Sequence, residues 1–200
     1  MAITNGYCTL AEIKAALRVT DTVDDVLLEN SIEGASRRID GYCSRFFFQT
    51  ASTAVNLFAR HQFRLLTQDI SSVTGLTVKT DTSGDGTYAT TLTLNTDFIV
   101  EPTNAALEGR PFRTLTMVGS KSFPISYLPT LPTVQVTAVW GWPAVPDDVR
   151  EACILLAMRQ FARYNSALGV LAFGEMAITV RAVDPDVRDL LSPYRIVGVA

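Results

Sequence analysis

Apolar positions three and four residues apart open the chain and predict two helices. Leu10, Ile13 and Leu17 line one face of a short first helix. Thr9 to Glu12, TLAE, has the form of a capping box: the Thr hydroxyl accepts one orphan backbone N–H and the Glu carboxylate accepts another. Cys8 and Ile13 stand where a hydrophobic staple would close. After a polar turn, Leu28, Ile32, Ala35, Ile39, Tyr42 or Cys43, and Phe46 form the single apolar stripe of a longer helix. Thr22 or Asp21 is expected to cap it, with Asp24 and Asp25 in its first turn, where the helix dipole favours negative charge. Glu29, Glu33, Arg37 and Asp40 fall on the opposite side.

At Gln49 the period changes from helical to alternating. TAVNLFA, GLTVKT, YATTLTL, FRTLTMV and TVQVTAVW carry strand patterns separated by turn residues. Short connections make the pairing antiparallel, and Pro102, Pro111, Pro124, Pro129 and Pro132 mark strand ends or loops. The helical pattern returns after WGWPAVPDD. Pro146 suits a first helical position, and Val149, Ala152, Cys153, Leu156, Ala157, Gln160, Phe161 and Tyr164 give a broad apolar face. A last short helix is expected from DPDVRDLL, with Asp184 as cap, Pro185 first, Leu190 and Leu191 packing, and Pro193 ending it. The predicted fold class is α+β: a small discontinuous helical bundle of four helices, residues 1–48 and 143–195, carrying a β-rich antiparallel insertion, residues 49–142, with a C-terminal tail at 196–200.

One stretch fits neither period. YNSALGVLAFGEMAITV, Tyr164 to Val180, holds a single charged residue, Glu175, and two glycines. Loops are ordinarily polar because their backbone sits in water, yet Leu168, Val170, Leu171, Phe173 and Met176 crowd this one. The tail, with Ile196, Val197 and Val199, is also apolar and lies past a proline stop. Both segments need a surface to cover them, either their own helical bundle or another molecule.

Composition narrows the function. Hydrophobic residues make up 48% of the 200 positions and charged residues 18%, which supplies a core and excludes a disordered chain. The formal charge of −3 with scattered basic residues disfavours a sequence-reading DNA binder. Cys8, Cys43 and Cys153 have neither zinc-ligand nor redox-motif spacing and are expected to be free thiols packed as small hydrophobes. The start MAITNGYCTL lacks the features of a secretory leader, and no apolar run reaches the length of a membrane span.

Chemical motifs are few. DTSGDGTY, Asp81 to Tyr88, matches the opening of a calcium loop, but Leu92 stands where the bidentate Glu belongs; a β-hairpin turn is the better reading. His61, the only histidine, lies among Arg60 and Arg64 and is placed on a strand or its edge, with no nucleophile motif to serve. Trp140 and Trp142 form either a stacking platform for a ligand or an apolar seam where the insertion rejoins the helices. The acidic pairs Asp24–Asp25 and Asp147–Asp148 open helices, where dipole compensation accounts for them. Arg37 and Arg38 sit among Glu33 and Asp40, a neutralised helix face. No catalytic residue, cofactor or metal is expected. A carbohydrate- or calcium-binding β module remains the alternative.

Taken in order, these segments resemble a known family. YCTLAEIKAALRVTDTVDDVLLENSIEGASRRIDGYCSRFF, with its capped helix, Asp-Asp turn and aromatic cluster of Tyr42, Phe46, Phe47 and Phe48, is similar to the start of head-tail connector proteins of long-tailed bacteriophages, also called adaptor or head-completion proteins. VTAVWGWPAVPDDVREACILLAMRQFARYNSALGVLAFGEMAITVRAVDPDVRDLLSPYR resembles their closing region. The resemblance covers residues 7–48 and 134–195 and reaches the β insertion only in kind. It implies a structural virion protein of the neck, in a ring usually of twelve subunits. The ring would sit under the portal protein, extend the DNA channel, and join the head to a stopper or other tail component. Packaged DNA would pass without sequence-specific contact, and no membrane is involved. The implied locations are the virion neck and, during assembly, the host cytoplasm. On this reading Leu168, Val170, Leu171, Phe173, Met176, Ile196, Val197 and Val199 meet a neighbour or the portal.

Overall fold

The computed structural model describes residues 3–125, 131–164, 172–173, 176–177 and 185–196. Its elements run α1 (Leu10–Leu17), α2 (Asp25–Cys43), β1 (Thr53–Leu57), β2 (Arg64–Ile70), β3 (Thr77–Thr80), β4 (Thr90–Leu92), β5 (Phe98–Glu101), β6 (Phe112–Met117), β7 (Val134–Ala138), α3 (Asp147–Tyr164), β8 (Ala172–Phe173), β9 (Met176–Ala177), α4 (Pro185–Leu191) and a 3-10 turn (Ser192–Tyr194). The class is α+β. The chain divides into two compact units, Met1–Phe48 with Val145–Ala200, and Gln49–Ala144.

In the helical unit, α1 starts as its sequence dictates. Thr9 Oγ1 accepts the Glu12 N–H at 3.2 Å, and Glu12 Oε2 accepts the Thr9 N–H at 2.7 Å. The cap of α2 differs from expectation. Asp24 is the cap residue, without a side-chain hydrogen bond, because Asp21 Oδ1 instead accepts the Val23 N–H and shapes the turn before it. Lys14 of α1 reaches Asp25 at 2.6 Å and ties the two helices at this point. The stripe of α2 is Leu28, Ile32, Ala35, Ile39 and Cys43, all fully buried. Cys43 rather than Tyr42 completes it. Each fully buried Leu or Ile contributes about 1.5–3 kcal/mol.

This stripe packs on α3, whose buried residues are Val149, Ala152, Cys153, Leu156 and Ala157. The close approach runs past Gly34, where a Cβ would stand 2.8 Å from the Gln160 amide. Helix α3 begins at Asp147, one residue later than expected; the Pro146 carbonyl accepts the Arg150 N–H at 3.0 Å from just outside. Its buried face fades beyond Ala157, and Tyr164 is exposed. In α4, Val187 and Leu191 are buried, whereas Leu190 is only partly covered. Asp184, the expected cap, lies outside the described residues.

The second unit has two main antiparallel sheets, ordered β1-β7-β3-β4 and β2-β6-β5. Strand β7 is central in the first and shows the alternation its sequence predicts: Val134, Val136 and Ala138 are buried. Val136 lies opposite Val55 on one side and Val78 on the other. Strands β2 and β5 were not expected. In β2 a register shift between Leu66 and Ile70 breaks the alternation, and β5 spans only Phe98–Glu101. An isolated bridge between Ile70 and Trp140 links the two sheets.

Candidate assembly interface

The apolar segment after α3 was expected to be a loop, but its described part is a hairpin: β8 pairs with β9, and Phe173 stands opposite Met176. Leu168, Val170 and Leu171 lie outside the described residues, as do Val197 and Val199. At the other candidate segment, Ile196 is half-buried and its N–H donates to the Cys43 carbonyl at 2.9 Å. The first residue of the tail is thus pinned to the end of α2, where helix termini leave carbonyls to be satisfied.

The approach to that tail is built from aromatic contacts. Phe47 is fully buried, with the Tyr7 ring 5.6 Å away and the Tyr194 ring 5.8 Å away, both edge-on. The Phe47 N–H donates to Tyr7 Oη at 2.8 Å, and Tyr7 in turn donates to Asp40. Tyr194 Oη donates to Asp148 Oδ2 at 2.9 Å. Burial, reinforced by the Asp40 carboxylate, pushes the Tyr7 phenol far above its ordinary value. Burial also raises Asp40, and the Tyr7 hydroxyl and Arg37 offset this only in part. Arg37, singled out among the basic clusters, is committed here: it pairs with Asp40 at 3.3 Å, donates to the Asn5 carbonyl at 2.9 Å and lies over the Phe48 ring at 5.2 Å. The result is a rigid junction of the N-terminal segment, the end of α2 and the last turn before the tail.

Exposed apolar side chains add surfaces that sequence reasoning missed. In the helical unit, Val23 is 85% exposed, with Val26 and Leu27 beside it at the start of α2. In the second unit, Leu66 on edge strand β2 is 77% exposed. It lines an open cleft with Phe58, Arg60, His61, Arg64 and Leu65. In sequence Leu66 looks like an ordinary core position; the exposed side of an edge strand became visible only with the register of β2.

The competing ligand sites are closed. Trp140 and Trp142 are 3% and 5% exposed, and the Trp140 indole N–H donates to the Thr53 carbonyl at 2.9 Å, so neither offers a stacking face. The loop Asp81 to Ala89 connects β3 to β4, as a hairpin reading requires, and Gly84 and Gly86 supply its positive φ angles of 75° and 85°. The Asp81 carboxylate, 1% exposed, is occupied by the N–H groups of Ser83, Gly84 and Gly86. Burial pushes this carboxyl up, but the Gly86, Gly84 and Ser83 hydrogen bonds together outweigh it and hold it below its ordinary value. Its lone pairs organise the loop. His61 lies in the loop before β2, not on a strand, and its Nδ1 accepts the Phe63 N–H at 3.1 Å. Among the described residues no three His, Cys, Asp or Glu side chains converge as metal ligands, and no helix is long and apolar enough to cross a membrane.

The described residues thus form two compact units with apolar side chains left on their surfaces and an Asp81 loop satisfied from within. Residues 7–83 match the model of the phage gp6-like head-tail connector proteins. The whole chain also aligns with solved neck structures. It covers 100% of its own length and 95% of a chain from the neck of an empty gene transfer agent particle computed with C6 symmetry, at 20% identity and a TM-score of 0.58. It aligns equally fully with 94% of a chain from the neck of a native gene transfer agent particle computed with C12 symmetry, at 19% identity and a TM-score of 0.57. The fold is therefore shared over the β insertion as well as the helices. No curated protein matches the chain.

Proposed function

We propose that this chain is a structural protein of the neck of a tailed phage or phage-like particle, where copies of it form a closed ring that joins head to tail. The observation that carries the reading is the coincidence of two independent likenesses: the connector-family match over residues 7–83 and whole-chain alignment to neck proteins solved with C12 and C6 symmetry. The portal above, a stopper or tail component below, and passage of DNA through the lumen belong to this proposal. So does a mechanical rather than catalytic role, carried out in the virion after assembly in the host cytoplasm.

A ring of identical subunits is a heterologous contact that closes on itself, so each copy presents two different surfaces. The 168–176 segment and the 196–200 tail supply one of them in this reading, and the exposed Val23 and Val26 end of α2 is suited to the other. An apolar side chain buried by a neighbour contributes about 1.5–3 kcal/mol, and the contribution recurs at every interface. Negative-stain imaging of the purified chain, alone and mixed with its cognate portal, is the test. Rings, or decorated portals, are expected. A protein that stays monomeric in both conditions overturns the proposal. The double variant Leu171→Asp with Phe173→Asp is expected to abolish the rings while helical content is retained; a lowered melting temperature with undiminished assembly would assign these residues to internal packing instead.

A further inference from the structure

Two of the three cysteines meet inside the helical unit although they are 145 residues apart in sequence. Cys8 precedes the Thr9 cap of α1, and Cys153 lies on the buried face of α3. Their Sγ atoms are 3.4 Å apart, with the Cys8 S–H directed at Cys153. Cys43 is separate, with its Sγ facing the Leu191 carbonyl at 4.0 Å. All three are free thiols. A disulfide needs its sulfurs at about 2.05 Å, so a further approach of about 1.4 Å joins the first two.

We propose that Cys8 and Cys153 are a built-in oxidation site, which a small peroxide converts into an intramolecular disulfide tying the segment ahead of α1 to α3. The reacting sulfur is Cys153. It accepts the Cys8 S–H, and Ser36 Oγ lies 3.5 Å from it. The Cys8 hydrogen bond holds the Cys153 thiol below its ordinary value against the effect of burial, whereas the Cys8 thiol is raised by donating to Cys153 and by burial. The thiolate is the form that attacks. Cys153 sulfur attacks one peroxide oxygen and the O–O bond breaks. The thiol proton leaves with the departing oxygen as water, and a sulfenic acid remains. Cys8 sulfur then attacks the sulfenic sulfur, the S–OH bond breaks, and the hydroxide leaves with the Cys8 proton as a second water. The two sulfurs have lost two electrons and the two peroxide oxygens have gained them. Cys8 is 4% exposed and Cys153 fully buried, which excludes a bulky disulfide as the oxidant and leaves a small peroxide. Because the cross-link closes so long a loop, it restricts the unfolded chain strongly and raises stability. None of this depends on the neck reading.

The test is hydrogen peroxide treatment of the folded full chain, removal of peroxide, alkylation in denaturant and peptide mapping. The expected product is a monomer with Cys8 linked to Cys153, Cys43 alkylated, and a melting temperature that rises and returns to its starting value with dithiothreitol. Cys43→Ser is expected to behave identically. In Cys8→Ser the reaction should stop at the Cys153 sulfenic acid, trapped as its dimedone adduct when dimedone is present during denaturation; should that variant fail to fold, the wild-type and Cys43→Ser maps still decide. Cross-links through Cys43, intermolecular products alone, or alkylation of both Cys8 and Cys153 after doses that fully oxidise free cysteine would each overturn the proposal.

Discussion

Phe46, Phe47 and Phe48 are consecutive, identical in chemistry and unequal in the fold, so truncating them one at a time tests the packing directly. Phe47 is fully buried between Tyr7 and Tyr194; Phe46 is half-buried and stacks on Phe48 with centroids 4.7 Å apart. Phe47→Ala removes a core aromatic, which costs about 3–5 kcal/mol including the cavity left behind. The two edge-on ring contacts, about 0.5–1.5 kcal/mol each, place it at the upper end. The backbone N–H bond to Tyr7 survives the substitution and limits collapse around the site. Phe46→Ala loses one surface stack and partial burial, about 1 kcal/mol. With a urea slope of about 2 kcal/mol per molar, the helical transition should fall by about 2 M for Phe47→Ala and by about 0.5 M for Phe46→Ala. Far-ultraviolet circular dichroism follows that transition. Both tryptophans, Trp140 and Trp142, belong to the second unit, so their fluorescence reports that unit separately. If Phe46→Ala proves as costly as Phe47→Ala, the register of the segment after α2 is wrong, and with it the pinning of the tail.

Four further outcomes follow from the same geometry. Asp81 has its folded value depressed by backbone donors, so its stabilisation is fully present above the ordinary carboxylate range and is lost as pH falls through the depressed value; Asp81→Asn should lower the midpoint of the tryptophan transition at neutral pH and flatten its acid limb. Asp40 is raised, mainly by burial, so its contribution has the opposite sign and declines as pH rises above the ordinary carboxylate value through the raised one; Asp40→Asn should remove that decline from the pH profile of the helical transition. Ser44 ends α2 in the left-handed region at φ 55°, where a Cβ costs about 1 kcal/mol, and Ser44→Gly should raise the helical midpoint correspondingly. Deleting residues 197–200 should leave both transitions unchanged and impair portal attachment, because Ile196 still holds its bond to Cys43; unfolding of the truncated chain, or unimpaired attachment, counts against a docking role for the tail.

The parts of this fold that were legible in sequence are those written in local rules. Thr9 and Glu12 announce their capping box within four residues, and the α2 stripe and β7 alternation repeat at the periods of their backbones. Non-local choices were not legible. The cap of α2 moved to Asp24 because Asp21 bonds Val23 instead, and β2 was missed because its register shift interrupts the alternation. The choice of Phe47 over its neighbours depends on Tyr7 and Tyr194, both remote from it in sequence. At the candidate interface, the excess of apolar residues after α3 was evident from composition, whereas the Phe173–Met176 pairing and the exposure of Val23 and Leu66 were not. An apolar residue bound for a surface has the same letter as one bound for the core.

The division of the helical unit between the two ends of the chain also sets a timetable for synthesis. Helices α1 and α2 leave the ribosome first, but α3, against which the α2 stripe packs, follows roughly a hundred residues later. At about 5–20 residues per second, that is a wait of about 5–20 s. The second unit is continuous in sequence; β1 to β6 emerge during the interval, and the central strand β7 only at its close. Leu28, Ile32 and Ile39 meanwhile remain uncovered on a nascent amphipathic helix. Chaperone occupancy on the growing chain should therefore rise after residue 43 has emerged and fall once Leu156 is out, shortly after β7 completes the first sheet.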